Sequence, residues 1–279
     1  MRQRTTTSAS FSKVAVLRRR IALPPAPSVL RAWDDPGLSH GFLGREGGVS
    51  RGPYATLNLS YWVGDNARLV DLNWQRARML MPRGTRFAQL NQVHGKTVHV
   101  VHPHHTGDPR PPGDGLITTA AGLALCIFTA DCVPVLLVDA ERGVLGALHA
   151  GWRGALAGVA AAGVRAMVRQ RARPARIRAA LGPSIGPCCY EVDAALAEQF
   201  VRRIHGAGGH TRAGTRTDKV YLDLRGIIAD QLVEAGLARE AVQKIGPCTR
   251  CNSERYFSRR AAGGAPTGLQ LSFIARVMG

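Results

Sequence analysis

The sequence predicts a single α/β (α+β) domain with two mixed β-sheets flanked by helices. Three observations carry that prediction. Residues 123–129 and 133–138 are short, continuous apolar runs, the pattern of strands buried on both faces. Strands and helices then mix without a regular βαβ period. The sequence lacks GxGxxG and GxxxxGK[ST], so neither a dinucleotide-binding unit nor a P-loop is supported.

Ordered structure is expected from Val29 onward. That gives a basic N-terminal extension over 1–28 and the main domain over 29–279. Residues 1–33 hold seven Lys or Arg and no Asp or Glu, the composition of a transit-type or unstructured tail. Pro24-Pro25-Ala26-Pro27 reads as a linker. His40-Gly41-Phe42-Leu43 predicts a strand, Gly47-Gly48 a turn, and residues 54–62 a second strand. Residues 65–81 predict a helix with Asp65 as N-cap and Leu69, Leu72 and Leu80 as its apolar positions. Residues 87–93 and 98–101 are short strands around His94-Gly95-Lys96, and residues 103–114 form a surface loop rich in Pro, Gly and His. Glu141-Arg142-Gly143 turns the chain, and residues 144–150 return as an apolar strand. Gly151-Trp152-Arg153-Gly154 opens a helix of about sixteen residues. Further on, strands are expected at 177–181, 221–224 and 269–277, and helices at 193–204 and 224–235.

The 279-residue chain, 45% hydrophobic, can bury a sizeable core. Its longest apolar stretch is broken by Asp131 and Pro134, which argues against a transmembrane helix and a membrane partner. The formal charge of +18 comes from 37 Lys and Arg, of which only Lys13, Lys96, Lys219 and Lys244 are Lys. The Arg residues are scattered and no aromatic stripe accompanies them. No specific nucleic-acid partner is expected, only weak binding at low salt. Six cysteines, two adjacent and two in a CxxC, suit a reducing, cytoplasmic setting better than a disulfide scaffold. Cys188-Cys189 and Cys248-x-x-Cys251 are candidates for a second metal site. However, adjacent cysteines make a poor ligand hook, and a zinc ribbon asks for two CxxC pairs. His102, His104 and His105 fall in the Pro-rich loop and read as solvated.

His94, Cys132 and His149 each fall at a predicted strand end, where rigid backbone can bring distant residues together. One thiolate and two imidazoles suit zinc and leave a fourth position for water, whose pKa zinc lowers to about 7. The same donors suit copper. Spacing alone does not separate the three from ordinary loop histidines and a buried cysteine.

The surrounding blocks do. Asn91-Gln92-Val93-His94-Gly95, Thr129-Ala130-Asp131-Cys132-Val133-Pro134 and His149-Ala150-Gly151-Trp152-Arg153-Gly154 resemble the three hallmark blocks of the laccase-domain family. That family is also described as purine nucleoside phosphorylases of the peptidoglycan-editing-factor type. Gly47-Gly48-Val49-Ser50, Leu57-Asn58-Leu59, Gly113-Asp114-Gly115-Leu116, Tyr190-Glu191-Val192 and Phe257-Ser258 agree with it. The resemblance runs from about His40 to Ile274.

The resemblance implies a Zn2+ site at His94, Cys132 and His149, with Cu2+ as the alternative ion. It implies phosphorolysis of adenosine, inosine and methylthioadenosine, together with adenosine deamination. The expected partners are thus purine nucleosides and phosphate, bound by a monomer or homodimer. Cys132, Asp131 and Arg153 are the expected catalytic residues. Asp131 could move protons, orient a ligand or hold a turn. Arg153 heads a helix whose free N–H groups attract anions. Arg45, Asn58 and Arg260 are the expected substrate contacts. Two departures stand out. Ser258 is followed directly by Arg259-Arg260, of which Arg260 is favoured, and Thr267-Gly268-Leu269-Gln270 has Leu269 where the family has Arg. Two other activities remain open: a copper-dependent polyphenol oxidase, and a cysteine-type hydrolase of cell-wall precursors with Cys132 as nucleophile and His149 as base.

Overall fold

The computed structural model describes residues 25–103 and 110–278. The segment 1–24, with most of the expected basic extension, and His104 and His105 lie outside the described residues. Fourteen strands and five α-helices are formed among the described residues. In chain order they are β1 (Val29–Leu30), β2 (Leu38–Leu43), α1 (Ala67–Arg78), β3 (Arg86–Ala88), β4 (Val98–Val100), β5 (Gly115–Thr118) and β6 (Leu123–Thr129). Then come β7 (Val133–Asp139), β8 (Val144–Ala150), α2 (Trp152–Ala157), α3 (Val159–Arg169), β9 (Arg178–Leu181), β10 (Glu191–Asp193) and α4 (Ala194–Arg203). The last are β11 (Thr211–Ala213), β12 (Lys219–Leu222), α5 (Leu224–Glu234), β13 (Val242–Lys244) and β14 (Gln270–Arg276).

Two mixed sheets form the centre, in the orders β1-β2-β14-β6-β3 and β13-β9-β7-β8-β5-β4. A third, small antiparallel sheet, β10-β12-β11, was not foreseen, because its strands are three or four residues long and lie in polar sequence. The period-two alternation of each central strand explains the layering. Leu123, Leu125 and Ile127 of β6 meet Leu136 and Val138 of β7 and Leu145 and Ala147 of β8 between the sheets. Ala124, Cys126 and Phe128 face the other way, onto Val70, Trp74 and Ala77 of α1. Val133, Val135 and Leu137 of β7 pack with residues of α3 and α5 on the opposite side. The result is a helix–sheet–sheet–helix sandwich. Both faces of the central strands are covered, which is why β6, β7 and β8 are buried at every position.

Several expectations are corrected. Residues 54–62 are not a strand. Asn73 Nδ2 donates to the Thr56 and Asn58 carbonyls and replaces a ladder there. The N-cap of α1 is Asn66, not Asp65, whose carboxylate instead accepts from Ser50 and Asn58. Leu72 is exposed, and α1 buries Val70, Asn73, Trp74 and Ala77. The long helix after Gly151 is two helices, because Gly158 adopts φ +83°, ending α2 and starting α3. Of the Pro-rich segment, Pro25 and Ala26 are exposed but its end is packed rather than free. Pro27 is buried and its backbone lies against Gly47. No helix among the described residues is long and apolar enough to cross a membrane.

Candidate metal centre and pocket

The C-terminal end of β6, the start of β7 and the C-terminal end of β8 meet at one edge of the sandwich, as do the turn after Gln92 and the loop before β5. Cys132 stands in the three-residue bend between β6 and β7, and His149 is the penultimate residue of β8, opposite Pro134. His94 occupies the turn between β3 and β4. The ligand atoms of His94, Cys132 and His149 all lie within 4.8 Å of one another. The two imidazoles meet edge to face, with ring centroids 4.7 Å apart. Gly151 closes the back of the cluster. A side chain there would meet Cys132 Sγ and His94 Cδ2, each at 3.0 Å, so it would press on two of the three donors.

Asp114 organises this arrangement. It is fully buried, and its Oδ1 lies 2.7 Å from His149 Nδ1, which leaves Nε2 of that ring to face the cluster. The same carboxylate accepts from the N–H groups of His94 at 2.9 Å and Gly95 at 2.6 Å. These bonds hold His94 in the left-handed region at φ +61°, a conformation rare outside glycine. Burial alone would raise the Asp114 carboxyl, but the hydrogen bonds from His149, Gly95 and His94 outweigh it and hold the group below its ordinary range. Asp114 is absent from the sequence-derived site residues. Its signals in sequence are an acid set between two glycines before an apolar strand and its place in a block that resembles the family.

The electrostatics suit a cation-binding thiolate. Burial pushes the Cys132 thiol up, yet the neighbouring His149, and then His94, bring it down to about 6. Burial pushes His149 down, but Cys132 and Asp114 raise it to about 9. A soft thiolate beside two imidazoles, one of them fixed by a carboxylate, fits a tetrahedral zinc-type ion with one position left over.

The cluster forms the floor of a pocket of about 370 Å³, a size suited to a small organic ligand. Phe128 and Trp62 supply aromatic surface, and Trp62 is 53% exposed. Arg110 and Arg259 bring positive charge to the wall, with the Arg110 guanidinium lying over the Trp62 ring.

The expected substrate and catalytic residues divide unevenly. Asn58 is fully buried. Its amide donates to Ser60 O and Asp65, and its oxygen accepts from the Ser60 and Leu269 N–H groups, so it shapes the pocket from behind. Arg45 donates to the Ala55 and Ser253 carbonyls and lies over Phe257. Arg260 donates to the Cys189 and Glu191 carbonyls, and the preceding Arg259 is the one that reaches the pocket. Arg153 is exposed over Trp152 and does not line the cavity. Asp131 has φ +94° and spends both carboxylate oxygens, accepting from Thr249 Oγ1 at 2.6 Å and Arg260 N at 2.7 Å. Of its three possible roles the geometry fits the turn-holding one. Tyr190 was also missed. Its hydroxyl is pushed up to about 12, first by burial and then by the nearby Cys132, so it stays a neutral donor beside the site.

Fold and site together define a layered α/β protein with a thiolate–imidazole centre at its strand ends. A family model described as multi-copper polyphenol oxidoreductase laccase matches residues 39–277. The chain belongs to that family. It is 41% identical to a purine nucleoside phosphorylase of Deinococcus radiodurans, covering 86% of this chain and 90% of that one. Similarity to the purine nucleoside phosphorylase YlmD of Geobacillus stearothermophilus is 34% over the same shares. The crystal structure of that YlmD superposes with a TM-score of 0.82, covering 87% of this chain and 93% of that one. The crystal structure of the Bacillus licheniformis protein YfiH, 30% identical, gives 0.84 over 90% and 97%.

Proposed function

We propose that this chain is a zinc-dependent purine nucleoside phosphorylase acting on adenosine, inosine and methylthioadenosine, with adenosine deamination as a second activity at the same site. The observation that carries the reading is the convergence of His94, Cys132 and His149 on the floor of a pocket walled by aromatic rings and arginines. The names of the relatives supply the substrate class.

His94, Cys132 and His149 would hold the ion, which supplies Lewis-acid polarisation of a substrate group or water. In phosphorolysis an oxygen of phosphate bonds to C1′ of the ribose while the bond to the purine nitrogen breaks. The products are ribose 1-phosphate and the base, which takes up a proton. Arg259 and Arg110 balance the phosphate charge and fix its approach. Trp62 offers a face on which the purine stacks, and Phe128 closes the pocket beside it. Tyr190 stays protonated near the cluster and is placed to donate to charge that develops there.

Metal-replete protein should release hypoxanthine from inosine only when phosphate is present, and Arg259→Ala should raise the KM for phosphate more than Arg153→Ala does. A metal-replete chain that releases no base with phosphate present overturns the reading. One further reading has an observation behind it. Without a metal, Cys132 and His149 form a thiolate–imidazolium pair, as a cysteine-type hydrolase needs. Under that reading a chelator leaves activity intact and thiol alkylation abolishes it. Under the phosphorylase reading the chelator itself abolishes activity.

A further inference from the structure

The four cysteines that the proposed reaction does not use come together at one point. Cys188 and Cys189 lie in the loop after β9, and Cys248 and Cys251 in the loop after β13. β9 and β13 pair in parallel, Leu181 opposite Lys244, so both loops leave the sheet at the same end. The pairing continues beyond the strands through a bridge between Ser184 and Cys248, with Thr249 N donating to Ser184 O. The four sulfurs all lie within 4.8 Å of one another. Cys251 Sγ is 3.3 Å from Cys189 Sγ and 3.5 Å from Cys188 Sγ.

A tetrahedral ion with zinc–sulfur bonds of about 2.3 Å places its sulfurs about 3.8 Å apart. The observed cluster needs only small side-chain shifts to reach that spacing. The backbone also suits a thiolate at Cys248. The Gly186 N–H donates to Cys248 Sγ at 3.2 Å, and the Cys251 N–H is directed at the same sulfur, the turn that a CxxC makes around an ion. The Arg225 guanidinium, anchored on the Ile245 and Gly246 carbonyls, places positive charge near Cys248 and Cys188. The adjacent pair, a poor hook in sequence terms, works here because the second cysteine pair comes from a different strand end.

We infer that Cys188, Cys189, Cys248 and Cys251 form a second, structural zinc site that ties the two loops together. The four thiols lose their protons as four sulfur–zinc bonds form, and no electron moves. The ion's position gives it a purpose. Thr249 and Ile185 of these same loops bond to the carboxylate and the backbone carbonyl of Asp131, next to Cys132. Clamping the loops fixes the bend that presents Cys132 to the pocket. The inference is independent of the proposed reaction.

The test uses the full chain carrying His94→Ala and Cys132→Ala, which removes two of the three ligands of the pocket centre. Purified from zinc-containing medium, it should retain about one zinc per chain, with an X-ray absorption shell of sulfur alone at about 2.3 Å. Adding Cys251→Ser should remove most of that zinc. Nitrogen in the shell, a zinc-free chain with freely reacting thiols, or a disulfide among the four found by mass spectrometry would each overturn the inference, as would a visible thiolate–iron absorption. The absorption measurement on the parent variant decides the matter even where the serine variant fails to fold.

Discussion

Asp114 joins three groups at once, and an amide cannot replace it. An asparagine there offers one oxygen and one N–H2, so it would point a donor at the His149 ring N–H or at a backbone N–H of His94 or Gly95. Asp114→Asn should therefore lower zinc affinity about 10- to 100-fold in competition with a chelator while the chain stays folded. His40 sets the response to acid. Its Nε2 accepts from the Ala32 and Trp33 N–H groups, and burial, then Arg31, lowers it to about 4. The unfolded chain binds this proton near 6.5, so the contribution of neutral His40 is complete above that pH and is lost as pH falls through about 4. At most about 3 kcal/mol is at stake. Denaturant melts of His40→Gln, whose amide oxygen can accept the same bonds, should show a shallower loss of stability between those pH values than the parent. The proposed metal ligands were legible in sequence only through the blocks around them, because their partners lie far apart along the chain. Asp114 and Tyr190 act on residues 19 or more positions away by contact or field, and no local pattern announces that. The choice between Arg259 and Arg260 turned on which guanidinium neighbouring carbonyls capture, which is a tertiary fact.

At the scale of elements, legibility followed hydrophobic period. β6 and β8 fall where continuous apolar runs placed them, and β7 extends one residue further, to Asp139. Both faces are covered, so nothing in these runs is ambiguous about burial. Segments held by side chains were misread. Residues 54–62 look like a strand because Leu57 and Leu59 are buried, yet their carbonyls are taken by Asn73 and Trp74. The break between α2 and α3 was missed because glycine is tolerated inside helices, and only its φ of +83° marks the boundary. That gives a prediction. No atom lies within 4 Å of a side chain added at Gly158, so Gly158→Ala meets no clash and pays only for the left-handed backbone. The expected loss is about 1–2 kcal/mol in denaturant melts. A stabilised variant would mean that α2 and α3 can fuse into the single helix the sequence suggested.

At the scale of the whole molecule, the layered core and the positive charge act separately. The two sheets and the helices outside them use aliphatic contacts that salt does not screen, whereas a formal charge of +18 spread over scattered arginines creates a field that salt does screen. Several arginines behind the pocket wall are spoken for. Arg45, Arg225 and Arg260 each donate to backbone carbonyls, so they fasten loops rather than present a binding face. A protein charged in this way should still collect polyanions through counterion release, with no preference for sequence. Fluorescence anisotropy should show duplexes of unrelated sequence binding with the same weak affinity at about 50 mM salt, falling at least about a hundredfold by about 200 mM. Cys132→Ala should bind identically, because the field belongs to the surface and the thiolate to the pocket. A marked preference for one sequence, or binding that resists salt, would show a built nucleic-acid site. The arginines that line the pocket would then need a second explanation beside the phosphate one.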